Sequence, residues 1–257
     1  MLWIWFENKA PVVGSASAPY FTSLAASCGL ATDYHGITHP SLPNYLAATG
    51  GSTFGVTDDD PPAAHPIGAA SIFSQVADAG KSWRSYQENM PGTCALTSSG
   101  TYAVKHNPAA YFTGVRATCG SSDVPLGTTS SGALAGDLAS GSLAAFSFIT
   151  PDMCHDMHDC SVATGDAWLS QWMSALLSSS AYRSGSTAVV VTFDEDDHTA
   201  GNRVSTILVA PSIRAGTSSA ATFDHYSLLR TTEEMLGLPA TLGKAATATS
   251  MRDAFQL

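Results

Sequence analysis

Thr187-Ala188-Val189-Val190-Val191-Thr192-Phe193 runs directly into Asp194-Glu195-Asp196-Asp197. The unbroken β-branched run predicts a strand buried on both faces, as in a parallel sheet covered by helices on either side. Four successive carboxylates at its end read most plainly as a solvated acidic turn. The strand, however, drives the first of them into the carboxyl edge of the sheet, where unpaired charge is expensive. A bound cation would relieve that cost.

Working outward, short apolar runs at 2–6, 30–37, 81–86, 144–149 and 204–210 predict further strands. Stretches 18–28, 41–49, 69–79, 165–180 and 225–237 carry helical spacing, with Gly29, Gly50-Gly51, Gly80 and Gly237 as stop signals. Strands alternate with helices from end to end. The expected fold is α/β, a mostly parallel sheet flanked by helices on both faces. Residues 1–257 are expected to form a single domain with a loop-rich insertion at about 88–142, where Gly, Ser, Thr and Pro dominate and periodicity is weak. In such folds the loops at the carboxyl ends of the strands build the site, so Glu7, Thr150–Asp152 and Asp194 should converge.

The chain has 257 residues, 44% hydrophobic and 12% charged, with a net charge of −10. That balance argues against nucleic acid, whose backbone is met by Lys and Arg clusters. An anionic substrate would need a local positive centre. No apolar segment is long enough to span a bilayer, so no transmembrane anchor is expected, and a monomer is. The start, Met1-Leu2-Trp3-Ile4-Trp5-Phe6, lacks a basic region and a cleavage site and reads as a mature domain trimmed of its signal peptide. Cys154 and Cys160 bracket a His- and Asp-rich loop, and Cys94 and Cys119 a polar one. Both pairs read as disulfides of a secreted protein, with Cys28 a buried thiol in an apolar helix; the alternative is five reduced thiols.

Candidate chemistry lies in four places. Glu7, Asn8, Asp194 and Glu195 offer hard oxygen donors suited to one divalent ion, Ca²⁺ or Mg²⁺ foremost, with Zn²⁺, Mn²⁺ or iron as alternatives. Ser41 opens a helix between Pro40 and Pro43, with Asn44 one turn on. It reads either as a helix cap or as a nucleophile activated by the metal. Cys154-His155-Asp156-Met157-His158-Asp159-Cys160 holds two histidines in a tight loop, and one could protonate a leaving group. Lys105-His106-Asn107-Pro108 and Asp224-His225-Tyr226-Ser227 supply further histidines. His35 and His39 are ambiguous, whereas His65 and His198 read as surface residues. No Gly-x-Ser-x-Gly elbow and no phosphate-binding Gly-x-x-x-x-Gly-Lys-[Ser/Thr] loop is present.

Taken in order, Glu7-Asn8-Lys9, His39-Pro40-Ser41-Leu42-Pro43-Asn44-Tyr45-Leu46-Ala47, Lys105-His106-Asn107-Pro108, Asp156-Met157-His158-Asp159, Phe193-Asp194-Glu195-Asp196-Asp197 and His225-Tyr226-Ser227-Leu228-Leu229-Arg230-Thr231 resemble the bacterial phosphoesterase family of secreted acid phosphatases and non-specific phospholipases C. The likeness spans about residues 3–240 and points to the secreted mycobacterial-type acid phosphatases. It implies an alkaline-phosphatase-like fold and a covalent phosphoserine mechanism on a phosphate ester, with a phospholipid or phosphoinositide as a candidate substrate. It further implies Ser41 as nucleophile, with Glu7, Asn8, Ser41, Asp194 and Glu195 as metal ligands. His158 and His106 are implied as catalytic, and Asn44, His106, His155 and His225 as substrate contacts. Three readings stand beside the phosphomonoesterase: a phospholipase C-type phosphodiesterase, a sulfate or phosphonate esterase, and a secreted calcium-binding module without activity.

Overall fold

The computed structural model describes residues 1–257. In chain order its elements are β1 Leu2–Phe6, α1 Pro19–Ser27, β2 Gly29–His35, α2 Ser41–Gly50, α3 Ile72–Asp78, β3 Trp83–Gln87, β4 Asp123–Pro125, α4 Ala133–Ser140, β5 Phe146–Thr150, α5 Val162–Ser178, α6 Ser180–Arg183, β6 Val189–Phe193, β7 Arg203–Val209, β8 Thr217–Ser219, β9 Phe223–Asp224, α7 His225–Met235 and α8 Arg252–Phe255. All nine strands join one sheet in the order β4-β3-β5-β1-β6-β7-β2-β8, with β9 also on β2. Every pairing is parallel except those of β7 with β6 and with β2. The expected mostly parallel sheet is therefore the observed one, with β7 as its only reversed strand. The β6–β7 connection, 194–202, is too short for the helical crossover that parallel neighbours need.

The central strand β1 explains the layering. Its five residues are all buried, and their alternation splits them between two aromatic clusters. Trp3 and Trp5 meet Phe146, Phe148, Tyr45 and His225 on the face covered by α2 and α7. Phe6 meets Phe21, Trp168 and Phe193 on the face covered by α1 and α5.

Differences from expectation have local causes. Cys28, not Gly29, ends α1, and Gly29 already opens β2. Glycine is needed there because a Cβ would lie 2.7 Å from the ring of Phe255. Cys28 is consequently a half-buried free thiol at a helix end. The stretch 88–142 holds β4, α4 and four short 3-10 turns. β4 is three residues long, and α4 buries only Leu134 and Leu138, so neither carries a periodic signal. The chain forms the disulfides Cys94–Cys119 and Cys154–Cys160, with Cα–Cα distances of 5.6 and 4.7 Å. No helix is long and apolar enough to cross a membrane.

Helix α1 lacks a cap of its own, since Ala18 precedes it. Buried Asp166 of α5 reaches across instead, accepting the Tyr20 and Phe21 amides at 3.1 and 2.9 Å. This carboxylate both satisfies orphan donors and complements the positive helix end. Asp166→Ala should therefore cost about 1–2 kcal/mol, seen as a fall of several degrees in Tm, with Asp166→Asn intermediate. An unchanged Tm would refute this cross-helix cap.

Candidate active site

β1 pairs with β6 in register, Phe6 opposite Phe193, so Glu7 and Asp194 leave the sheet side by side. Backbone bonds then lock the two exits together. Asp194 N donates to Phe6 O (3.0 Å), Asn8 N to Asp194 Oδ1 (3.1 Å) and Lys9 N to Glu195 O (3.2 Å). From β5, the loop carrying the Cys154–Cys160 staple adds Asp156, whose carbonyl accepts Glu7 N at 2.8 Å.

Ser41 is the first residue of α2, with Pro40 at the cap position and no side-chain capping bond. Its hydroxyl turns away from the helix amides and donates to Glu7 Oε2 at 2.9 Å. The capping role that a serine usually takes here passes to Asp59, whose Oδ1 accepts Leu42 N at 2.9 Å. One turn along α2, the Tyr45 hydroxyl donates to Glu7 Oε1. Glu7 thus receives two hydroxyls from one helix face, as their i, i+4 spacing allows.

Glu7, Asp156, Asp194, Glu195 and Asp196 are all buried around this point. Their charges are answered by few cations. His106 lies buried with Nε2 3.3 Å from Glu7 Oε1 and Nδ1 3.1 Å from Asp156 Oδ2. Burial opposes its charged form, but Glu7 and Asp156 outweigh burial and push its pKa up to about 9. Burial likewise raises Glu7, yet His106, Lys105 and Tyr45 bring it down to about 2. Asp194 is raised by burial and by the charges of Glu7 and Glu195. Burial, Glu7 and Asp59 push Glu195 up to about 8. Carboxylates held this way at neutral pH call for a further cation.

The residues fit one. Asn8 Oδ1 and Asp194 Oδ2 are buried without any hydrogen-bond partner. Asp194 takes the Asn8 amide on its other oxygen, and its neighbour Glu7 takes the Ser41 hydroxyl; with Glu195, these residues offer only oxygen donors, the kind hard divalent ions take. Three metal-competent His or carboxylate atoms come within 4.8 Å of one another at Asp58/Asp60/His65 and at Glu88/Asp152/His155, and not at Glu7/Asp194/Glu195. Neither of the first two contains an unpartnered buried oxygen.

The remaining predicted residues fall in different places. His158 faces the site, its ring 6.0 Å from that of His106 and its Nδ1 anchored 2.7 Å from Asp159. Asn44, expected to touch phosphate, is fully engaged within the protein. Its Oδ1 accepts Ile37 N and Thr38 N, and its Nδ2 donates to Thr38 O, Pro40 O and Glu195 Oε2. With no donor to spare, it braces the loop before Ser41 and holds Glu195. His225, also expected at the substrate, is fully buried behind the site: Nε2 lies 2.6 Å from Asp194 O and Nδ1 3.0 Å from Tyr34 OH. His155 sits apart, with Nδ1 3.0 Å from Glu88 Oε2 and its ring on Trp168.

Tyr45, Asp59 and Asp156 are site residues that sequence reasoning missed. Tyr45 carried a usable signal, four residues after Ser41 on one helix face, and Asp156 sat within the quoted Asp156–Asp159 motif without a role of its own. His39 belongs here too, 3.0 Å from Glu195 Oε2 and 3.4 Å from Asp196 Oδ1. His198 is exposed, as expected, and its ring lies tilted against that of His39 at 3.9 Å between centroids.

Burial holds the His225 pKa down to about 4 from an ordinary 6.5, despite the Asp194 carbonyl. The neutral ring is thus favoured by folding. Its stabilising contribution is complete above the unfolded value and drains away as pH falls from about 6.5 towards 4, by about 3 kcal/mol at most. Relative to His225→Gln, the wild-type protein should lose stability over that window in urea unfolding. A pH-independent difference between the two would contradict it.

Comparison with known proteins follows the same lines. A model of the Phosphoesterase family matches residues 5–239. Phosphatidylinositol-3-phosphatase of Mycobacterium tuberculosis is 35% identical over 248 residues, covering 96% of this chain and 79% of that protein. An acid phosphatase of Aspergillus fumigatus is 30% identical over 249 residues, 92% of this chain; the chain spans only 54% of that longer protein. Among solved structures, an alkaline phosphatase superfamily protein from Vibrio parahaemolyticus aligns with a TM-score of 0.63 at 11% identity, covering 98% of this chain and 71% of its own. A phosphonate monoester hydrolase from Silicibacter pomeroyi aligns at 0.61 and 12% identity, covering 99% and 76%; these likenesses concern the fold. The expected alkaline-phosphatase-like architecture and the expectation of a phosphoric ester hydrolase both stand, and the chain belongs to the Phosphoesterase family.

Proposed function

We propose that this protein is a secreted, metal-dependent phosphomonoesterase that works through a phosphoserine at Ser41. The observation that carries this reading is the direction of the Ser41 hydroxyl. It forgoes the helix cap and sits on Glu7, which leaves the sheet next to Asp194, and Asn8 and Asp194 each keep a buried oxygen without a partner. Glu7, Asn8, Ser41, Asp194 and Glu195 would hold one divalent ion, and its oxygen donors favour Ca²⁺ or Mg²⁺. When bound, such an ion supplies positive charge that lowers the serine pKa and offsets charge on the phosphoryl oxygens.

The protein's own groups do the rest. Glu7 Oε2 holds the hydroxyl proton and fixes the direction of Oγ. As the Oγ–P bond forms, the Oγ proton passes to Glu7 Oε2, the bond from phosphorus to the alcohol oxygen breaks, and His158 gives its proton to the departing alcohol. His106, pinned between Glu7 and Asp156, is a positioning residue and a fixed positive charge. Water then attacks phosphorus and gives a proton to His158, while the proton on Glu7 returns to Oγ as the Oγ–P bond breaks, restoring the hydroxyl and releasing phosphate. Positioning and electrostatics dominate such transfers. The mycobacterial relative's name supports a phosphoinositide substrate, and the fungal names an acid phosphatase. Two disulfides support an oxidising compartment.

Ser41→Ala should lower kcat on p-nitrophenyl phosphate by about 10³ or more while Tm stays within a few degrees. An active variant would overturn the phosphoserine. His158→Asn should lose about 10²-fold on an alkyl phosphate and much less on p-nitrophenyl phosphate, whose leaving group needs no proton. Equal losses on both would remove His158 from that role. Asp194→Asn should lower bound metal in elemental analysis together with kcat. Activity on p-nitrophenylphosphorylcholine exceeding that on p-nitrophenyl phosphate would favour the diesterase.

A further inference from the structure

At the mouth of the Ser41 site one carboxylate occupies two anion-binding groups at once. Asp59 Oδ1 accepts the Leu42 amide at 2.9 Å, and Asp59 Oδ2 lies 2.9 Å from Lys105 Nζ. Leu42 N–H is the amide next to Ser41 at the start of the ten-residue helix α2. Lys105 precedes His106, whose Nε2 touches Glu7. The Leu42 amide is next to Ser41 in the chain, and the field of Lys105 reaches Glu7 and Asp194 while that of Asp59 reaches Glu195.

Two features mark this contact as replaceable. Asp59 comes from the loop between α2 and α3, in Thr57-Asp58-Asp59-Asp60-Pro61, and its side chain is 30% exposed. By contrast, Ser41 beneath it is only 1% exposed, so no ester can reach Oγ until something at the mouth moves. Behind Asp59 and Lys105 opens a cavity of about 580 Å³, lined also by Tyr102, Met153 and Asp159, the residue that anchors His158. A phosphoryl group entering from that side meets Asp59 and Lys105, and the Leu42 amide lies on the other oxygen of Asp59. Two oxygens of a phosphate can take both donors as the two oxygens of a carboxylate do.

We propose that Asp59 is a built-in competing anion: it sits on the phosphoryl-binding groups Lys105 and Leu42 N–H, is displaced by substrate, and returns to expel phosphate. This deepens the phosphomonoesterase reading and rests on it. Competition by a tethered carboxylate weakens substrate and product alike. It costs affinity but guards the enzyme against inhibition by its own product, inorganic phosphate. Lys105 becomes a binding residue, and Asp59 a residue that sets how tightly the site holds a dianion.

Calorimetric titration with inorganic phosphate tests this on the full chain with its metal content unaltered. Asp59→Asn and Asp59→Ala should bind phosphate roughly tenfold more tightly than wild type, because the competitor is gone. Asp58→Asn removes the same charge from the same loop, where Asp58 faces His65, and should change affinity less than about twofold. Lys105→Met should weaken binding about tenfold, and in the Lys105→Met background Asp59→Asn should gain little. Phosphate binding unchanged or weaker in both Asp59 variants would overturn the proposal, leaving Asp59 as a helix cap. So would equal gains in Asp58→Asn and Asp59→Asn, or no phosphate binding by any form. Binding is read without turnover, so a failed clamp is distinct from a failed nucleophile, which shows as activity in Ser41→Ala.

Discussion

The in-register pairing of β1 with β6 is the constraint on which the site depends. A strand's side chains alternate, so a shift of one residue would move Phe6 onto the opposite helix-covered face and send Glu7 the other way. With Phe6 opposite Phe193, two acidic residues instead emerge next to each other at the carboxyl edge. The register is held by aromatic packing on both faces, where Trp3 and Trp5 point one way and Phe6 the other. The hydrophobic core and the charged site are therefore not separate achievements of the chain. The first fixes the spacing of the second.

That arrangement gathers more negative charge than the protein itself neutralises. His106 and Lys105 answer part of it, and His39 touches Glu195 and Asp196 at the rim. The rest appears as raised carboxyl groups at Asp194 and Glu195 and as oxygens without donors. Burial of unpaired charge is tolerated only where a ligand or counter-ion completes the set. The histidines around the site differ in burial. His225 props the Asp194 carbonyl, His106 is pinned between Glu7 and Asp156, and His158 is the more exposed, its Nδ1 beside Asp159.

Much of this was legible in the chain because the signals were local. Val189–Phe193 and Leu2–Phe6 are apolar enough to name themselves as central strands, and acids directly after them had to meet at one edge. Ser41 could be placed at a helix start from Pro40, Pro43 and Gly51. What stayed hidden depends on partners distant in sequence. Whether Asn44 points at a ligand or at its own loop is decided by carbonyls at Thr38 and Pro40 and by Glu195. The burial of His225 is decided by Tyr34 and Trp5. No pattern in Thr57–Pro61 announces that one aspartate among three will cap α2. β4 and α4 escaped because three residues, or two buried leucines, make no period.

The sheet's outer margins carry a consequence of their own. One margin is β4, three residues ending in Pro125, and the other is made of β8 and β9, three and two residues long. Long open edges are templates for intermolecular strand addition, and very short ones with a proline are poor templates. The nine-stranded sheet thus offers little purchase for fibrillar growth. The net charge of −10 adds mutual repulsion between copies. In a domain with so apolar a centre, the brevity of its borders leaves few open backbone groups for another strand to join.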